Sequence, residues 1–181
     1  VPAAMSEPDI AAAIQEYATA CRNAAAAGFD GVELHGANGY LIDQFLNTAS
    51  NQRSDRWGGS LQNRIRFAVE VARASAAAIG GERVGMRISP YGVFNGMVPD
   101  AETDALYLRL VEALTDIGLA YVHVVDHSSM GAPPVSEALK AELRAAFKRT
   151  YILSGGYDAA RANADLGPGD GDLVAFGRPF I

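Results

Sequence analysis

The chain has 181 residues, 49% hydrophobic and 20% charged, with a net charge of -6, which suits one hydrophobic core and is too short for two full domains. Its lysines and arginines are scattered, so no basic stripe is present to neutralise a nucleic-acid backbone, and no apolar run reaches the ~18 residues that a membrane-spanning helix requires. The single cysteine, Cys21, excludes an internal disulfide and a cysteine-based metal cluster within these residues, and fits a reducing, cytoplasmic setting.

The opening "VPAAMSEPDI" carries neither an initiator Met nor the charged and apolar regions of a signal peptide, and reads as the start of a piece of something longer. A helix is predicted over 7–27, where Ile10, Ile14, Tyr17, Cys21 and Ala24 share one face, with Ser6 as N-cap and Gly28 as stop. The apolar run "FDGVEL" (29–34) then reads as a buried strand. Next comes a helix over 61–79, capped by Ser60 and ended by Gly80-Gly81, and the strand "RVGMRI" (83–88). A third helix, 101–117, takes Asp100 as cap and Gly118 as stop, and leads to the strand "YVHVV" (121–125). The fourth, 137–148, is capped by Ser136 and precedes "YILSGG" (151–156). A short helix after Asp158 leads to the last strand, "DLVAFG" (172–177). These strands are short, rich in Val and Ile, and lack the alternation of a half-exposed antiparallel strand. Strand–helix alternation of this kind implies a parallel sheet with right-handed crossovers.

Two architectures satisfy that order. One is an open five-stranded doubly wound sheet. The other is part of an eight-stranded barrel, which typically needs ~250 residues. In α/β proteins, ligand-contacting groups gather where strands exit. Here the first strand runs into "HGANGY", with His35, Asn38 and Tyr40 within six residues; the second ends near Arg87, the fourth in Gly155-Gly156 and the fifth in Gly177-Arg178. Glycines at the last two strand ends suit a phosphate held by backbone N–H groups, as in barrels. A doubly wound nucleotide fold puts its glycine-rich turn after the first strand, and the turn found there carries side chains that a phosphate does not need. The barrel is the better reading.

The stretches "GFDGVELHGANGYLIDQFLN", "NQRSDRWGGSLQNRIRF", "RVGMRISP", "SGGY" and "FGRPFI" together resemble the old yellow enzyme family of FMN-dependent ene-reductases, in order and spacing across nearly the whole chain. The resemblance implies a (β/α)8 TIM barrel, of which these residues cover about five strands as the carboxyl-terminal portion of a single domain. It also implies FMN at the carboxyl face, NADPH or NADH as electron donor, and a small activated alkene, an α,β-unsaturated carbonyl or nitro compound, as substrate. By the same resemblance, His35 and Asn38 hydrogen-bond the carbonyl or nitro oxygen, where charge grows as hydride from flavin N5 reaches the β-carbon. Tyr40 then protonates the α-carbon. Arg87 lies against the pyrimidine edge of the flavin, and Gly155, Gly156, Gly177 and Arg178 cradle its phosphate. His-x-x-Asn resembles the NAD(P)H ene-reductase branch, whereas the iron–sulfur dienoyl-CoA reductase branch uses clustered cysteines that lie beyond the barrel. No metal site is implied within these residues.

Plainer roles compete with these. His35 and Asn38 could cap a loop, Tyr40 could pack at a helix start, Arg87 could make a surface ion pair, and Gly155-Gly156 could be a turn before the helix capped by Asp158. His123, inside "YVHVV", reads as a satisfied core histidine, and His127 just past it could touch a ligand but has no specific role. Asp55, Arg56 and Trp57 read as structural, ordering the loop before Ser60. Five strands cannot close an eight-stranded barrel. The expectation is therefore a missing amino-terminal barrel segment, which in this family supplies a threonine and a glutamine to the flavin, or else self-association through exposed strand edges. A non-catalytic flavin- or phosphate-binding half-barrel and a flavodoxin-like electron carrier are the alternative functions.

Overall fold

The computed structural model describes residues 3–177 and 181. Helix α1 (Glu7–Ala26) begins with a reciprocal cap: Ser6 Oγ accepts from the Asp9 N–H, and the Asp9 carboxylate accepts from the Ser6 N–H. Gly28 follows at φ +94, a conformation that ends a helix at little cost only for glycine. Strand β1 (Val32–Gly36) begins three residues later than expected. The reason is Arg83, whose guanidinium donates to the carbonyls of Phe29 and Asp30 at 2.8 and 2.6 Å, so these residues pair with a side chain and not with a strand.

A short helix that the apolar period did not reveal, α2 (Leu41–Leu46), comes next and buries Ile42, Asp43, Phe45 and Leu46. Helix α3 (Leu61–Ile79) is capped by Ser60, and the loop before it is ordered as expected. Trp57 is buried, its indole N–H donates to Glu7 at 2.8 Å, and its backbone N–H donates to Asp55. Phe45 stacks on Phe67 at 4.3 Å, with Trp57 edge-on to both. Strand β2 (Val84–Ile88) and helix α4 (Thr103–Ile117) follow. The start of α4 is a correction: Asp100 is not its N-cap. The Asp100 carboxylate accepts from the Glu102 N–H and its backbone N–H donates to Thr103 Oγ1, so residues 100–103 form a turn and Glu102 holds the cap position. Strand β3 (Tyr121–Val125), helix α5 (Glu137–Ala146) with Ser136 as cap, and strand β4 (Thr150–Ser154) come next. Gly155 and Gly156 were expected within that strand, but their φ values of +113 and +65 are incompatible with it, and they turn the chain towards α6 (Ala159–Leu166), capped by Asp158. Strand β5 (Leu173–Ala175) completes the sheet.

All neighbouring strands pair in parallel, in the order β1-β2-β3-β4-β5. A doubly wound sheet places its first strand internally and reverses direction around it. No such reversal occurs here, which removes the flavodoxin-like alternative. Sequential parallel order is the arrangement of a (β/α)8 barrel, and the described strands form an arc of one. Helices α1, α3, α4 and α5 pack side by side on the outer face, where Leu34, Val84, Met86, Ile88, Val122, Val124, Tyr151 and Leu153 are all buried. No helix is long and apolar enough to cross a membrane among the described residues.

Candidate active site

Side chains on a strand alternate between faces, and residues in register across parallel strands share one. The outer face takes the apolar set, so the inner face takes the other. Its first row is Glu33, Gly85, Tyr121 and Thr150, and the next is His35, Arg87, His123, Ile152 and Leu173. Two histidines, an arginine, a glutamate and a tyrosine thus stand on the concave side of the arc. Gly85 has a steric purpose, since a Cβ there would lie 2.2 Å from the Tyr121 ring.

His123 is satisfied, as expected, but it sits on this polar inner face and not in the apolar core. Its Nδ1 lies 2.9 Å from Glu33 Oε2 and its Nε2 2.8 Å from Ser154 Oγ, so from β3 it reaches β1 across β2 and also its neighbour β4. Burial opposes charge on Glu33, but the His123 ring, the Tyr121 hydroxyl and Arg87 outweigh it and hold the carboxyl below its usual range. Burial and the Glu33 charge push the Tyr121 phenol up to about 12.

Arg87 has no ion-pair partner among the described residues, and its Nε is buried without a hydrogen-bond partner. It lines a hollow of about 590 Å³ with His123, His127, Ser154, Gly155, Gly156 and Gly177. The three glycines are there for different reasons. A Cβ on Gly155 would fall 1.9 Å from the Asp126 carbonyl oxygen, so backbone packs directly against it. One on Gly156 would meet the Ser129 side chain at 2.5 Å. At Gly177 a Cβ would meet nothing within 4 Å. Packing within the described chain does not require a glycine there, and the open space beside it belongs to the hollow. Arg178 lies outside the described residues.

The mouth of β1 adjoins this hollow. His35 is half-buried next to Arg87 in register, and its pKa is lowered by burial and by the Arg87 charge, so the ring is neutral near neutral pH. Tyr40 is 57% exposed, at the N-cap position of α2, with its ring centroid 5.4 Å from that of His35. Asn38 takes the left-handed conformation at φ +62, which asparagine tolerates better than most residues. Its backbone N–H donates to Ser89 Oγ at 2.9 Å and its carbonyl accepts from Asn95 Nδ2 at 2.8 Å. His127, which had no assigned role, is buried and meets the Asn38 carboxamide at 2.7 Å.

Beneath this turn lies Asp43, a group that the sequence reading passed over. Its carboxyl accepts from the Gly39 N–H at 2.8 Å, from the Tyr107 hydroxyl at 3.1 Å and from Ser89 Oγ at 3.4 Å. Burial pushes its pKa up to about 6, against the pull of those three donors. Between pH 4 and 6 the folded chain therefore keeps a proton that the unfolded chain, at 3.8, has released. The native state binds more protons in that window, so stability falls as pH rises through it, by roughly 2–3 kcal/mol in total. Asp43→Asn removes this titration. Its stability relative to the parent is expected to improve by about that amount between pH 4 and 7. Paired denaturant melts would show it, and a pH-independent difference would contradict the assignment.

Against known proteins, a family model described as NADH:flavin oxidoreductase / NADH oxidase matches residues 1–181. The chain belongs to that family. Among its relatives, the chanoclavine-I aldehyde reductase of Penicillium roqueforti is 49% identical over 187 residues, covering 99% of this chain and 50% of the relative. The 12-oxophytodienoate reductase 2 of Arabidopsis thaliana is 42% identical, with 99% and 48% covered. Of solved structures, morphinone reductase superposes with a TM-score of 0.95 at 41% identity, over 99% of this chain and 48% of that one. The old yellow enzyme homologue of Zymomonas mobilis gives 0.90 at 35% identity, over 98% and 50%. The chain spans about half the length of the curated relatives it matches. The old yellow enzyme resemblance and the partial-barrel fold both stand.

Proposed function

We propose that residues 1–181 form the carboxyl-terminal part of a single-domain FMN oxidoreductase that uses NADPH or NADH to reduce the C=C bond of an activated alkene, an α,β-unsaturated carbonyl or nitro compound. The observation that carries this reading is Arg87, a cation with a buried, unpartnered Nε facing a glycine-walled hollow beside two hydrogen-bond donors. A buried guanidinium N–H without a partner is costly unless a ligand supplies an acceptor, and the pyrimidine edge of FMN would supply one there. The residues present thus fit the cofactor. Arg87 would hold the flavin edge and Gly155, Gly156 and Gly177 the phosphate side, joined by Arg178.

Bound FMN would contribute hydride transfer. The chain's own residues would do the rest. His35, neutral and carrying one ring N–H, and Asn38, through its carboxamide nitrogen, would donate to the substrate oxygen, where negative charge grows as the alkene is reduced; fixed donors stabilise that charge without reorganising. The Tyr40 hydroxyl, at the same mouth, would hold the proton destined for the α-carbon. The remaining barrel strands would come from polypeptide outside these residues.

The test is an FMN titration of the full-length protein, followed by NADPH and NADH oxidation with and without 2-cyclohexenone. Stoichiometric FMN and alkene-dependent oxidation are expected. Flavin binding without alkene-dependent turnover would leave only a flavin-binding protein, and absence of flavin binding would overturn the reading entirely.

A further inference from the structure

We infer that His127 is a positioning residue that sets the orientation of the Asn38 carboxamide and so makes its nitrogen the group offered to a ligand oxygen. The inference rests on the reading of Asn38 as a substrate donor and goes beyond it by naming what aims that donor. Asn38 has four polar handles, and three are occupied: its N–H by Ser89 Oγ, its backbone carbonyl by Asn95, and its side-chain oxygen by His127 Nε2 at 2.7 Å. The carboxamide nitrogen is the handle left without a hydrogen-bond partner among the described residues.

A carboxamide can flip by half a turn, which exchanges donor for acceptor with little change in shape. Something must choose between the two orientations, because an amide oxygen turned towards a substrate oxygen would repel it. An amide oxygen only accepts, so the bond from His127 requires a proton on Nε2. Both the neutral Nε2–H tautomer and the imidazolium provide one. The alternative, with Asn38 nitrogen donating to the ring, needs the opposite tautomer. The ring is itself held: it is buried, and Phe94 packs edge-on against it with centroids 4.7 Å apart. His127 also lines the hollow next to Arg87, so it stands where substrate orientation would matter.

The experiment uses the full-length, FMN-loaded protein and has two arms. In the first, nitrogen-15 NMR of labelled histidine reads the His127 ring without turnover. A proton on Nε2 of the neutral ring is expected, with its signal moved by Asn38→Ala and not by Tyr40→Phe. A proton on Nδ1, or indifference to Asn38→Ala, would overturn the inference. In the second, His127→Leu, of similar bulk and without a donor, is expected to lower kcat/KM for 2-cyclohexenone by about 10- to 100-fold, as loss of a group that orients a contacting residue commonly does. His127→Gln, which can still donate, should return most of it. In an Asn38→Ala background, His127→Leu should change kcat/KM by less than about twofold, since the bond it removes is already gone. Additive losses would mean that His127 acts through something other than Asn38. If the parent protein reduces no alkene, the proposed function falls, while the first arm still decides the orientation.

Discussion

Gly155→Ala is expected to destabilise the protein by about 3–5 kcal/mol, at the severe end for a single substitution. The added methyl would be 1.9 Å from the Asp126 carbonyl oxygen, a contact with backbone that no rotamer relieves, at a φ of +113 where a Cβ is strained in any case. Relief requires separating the end of β4 from the loop after β3, where the Asp126 N–H donates to the Ser154 carbonyl at 2.9 Å. Gly177→Ala is the matched control. Its methyl meets nothing, so stability should stay within about 0.5 kcal/mol, as for surface changes that touch no special feature, whereas FMN affinity should fall if that wall holds the phosphate. Denaturant melts and FMN titrations of both variants separate the two effects. Equal stability of the two would show that the close approach at Gly155 is not a constraint.

The second large effect concerns turnover. His35→Ala is expected to lower kcat for alkene reduction by about 10²–10³-fold, the usual loss when one preorganised donor to a developing oxyanion is removed. FMN affinity should hardly move, because the mouth of β1 adjoins the hollow and its donors are not part of the glycine wall. The double variant His35→Ala, Asn38→Ala should lose less than the product of the single losses, since both donors serve one oxygen. Retention of kcat within about threefold in the single variant would remove His35 from the proposed chemistry.

How far the amino-acid pattern reached depended on how local each determinant was. Caps such as Ser6, Ser60, Ser136 and Asp158 bond within three residues, and all four were readable and are present. Asp100 failed because it bonds its neighbours in a turn that the same short-range chemistry also supports. Helix α2 escaped because six residues are too few for a helical period to show. His35 and Arg87 were expected at strand exits and lie in the last two residues of β1 and β2, whereas His123 was read as core, His127 was noted without a role and Asp43 was passed over, since their partners lie far away in sequence. Asp43 meets Tyr107 across 64 positions and His127 meets Asn38 across 89. An aspartate among the apolar residues of "YLIDQFL" was nonetheless a usable signal, because a buried carboxyl needs donors.

Sequential strand order has a consequence for assembly. Each strand pairs with the one made just before it, so every loop closed during folding spans a single strand–helix unit, and the closure entropy is met in small steps. A chain emerging from the ribosome can enlarge the sheet without undoing any pairing already made. Among the described residues β1 and β5 each pair on one side alone, and further strands at either margin would join by the same parallel ladder. Growth of the arc into a closed ring is thus an extension of the structure already present, requiring no rearrangement of the half that carries His35, Asn38 and Arg87.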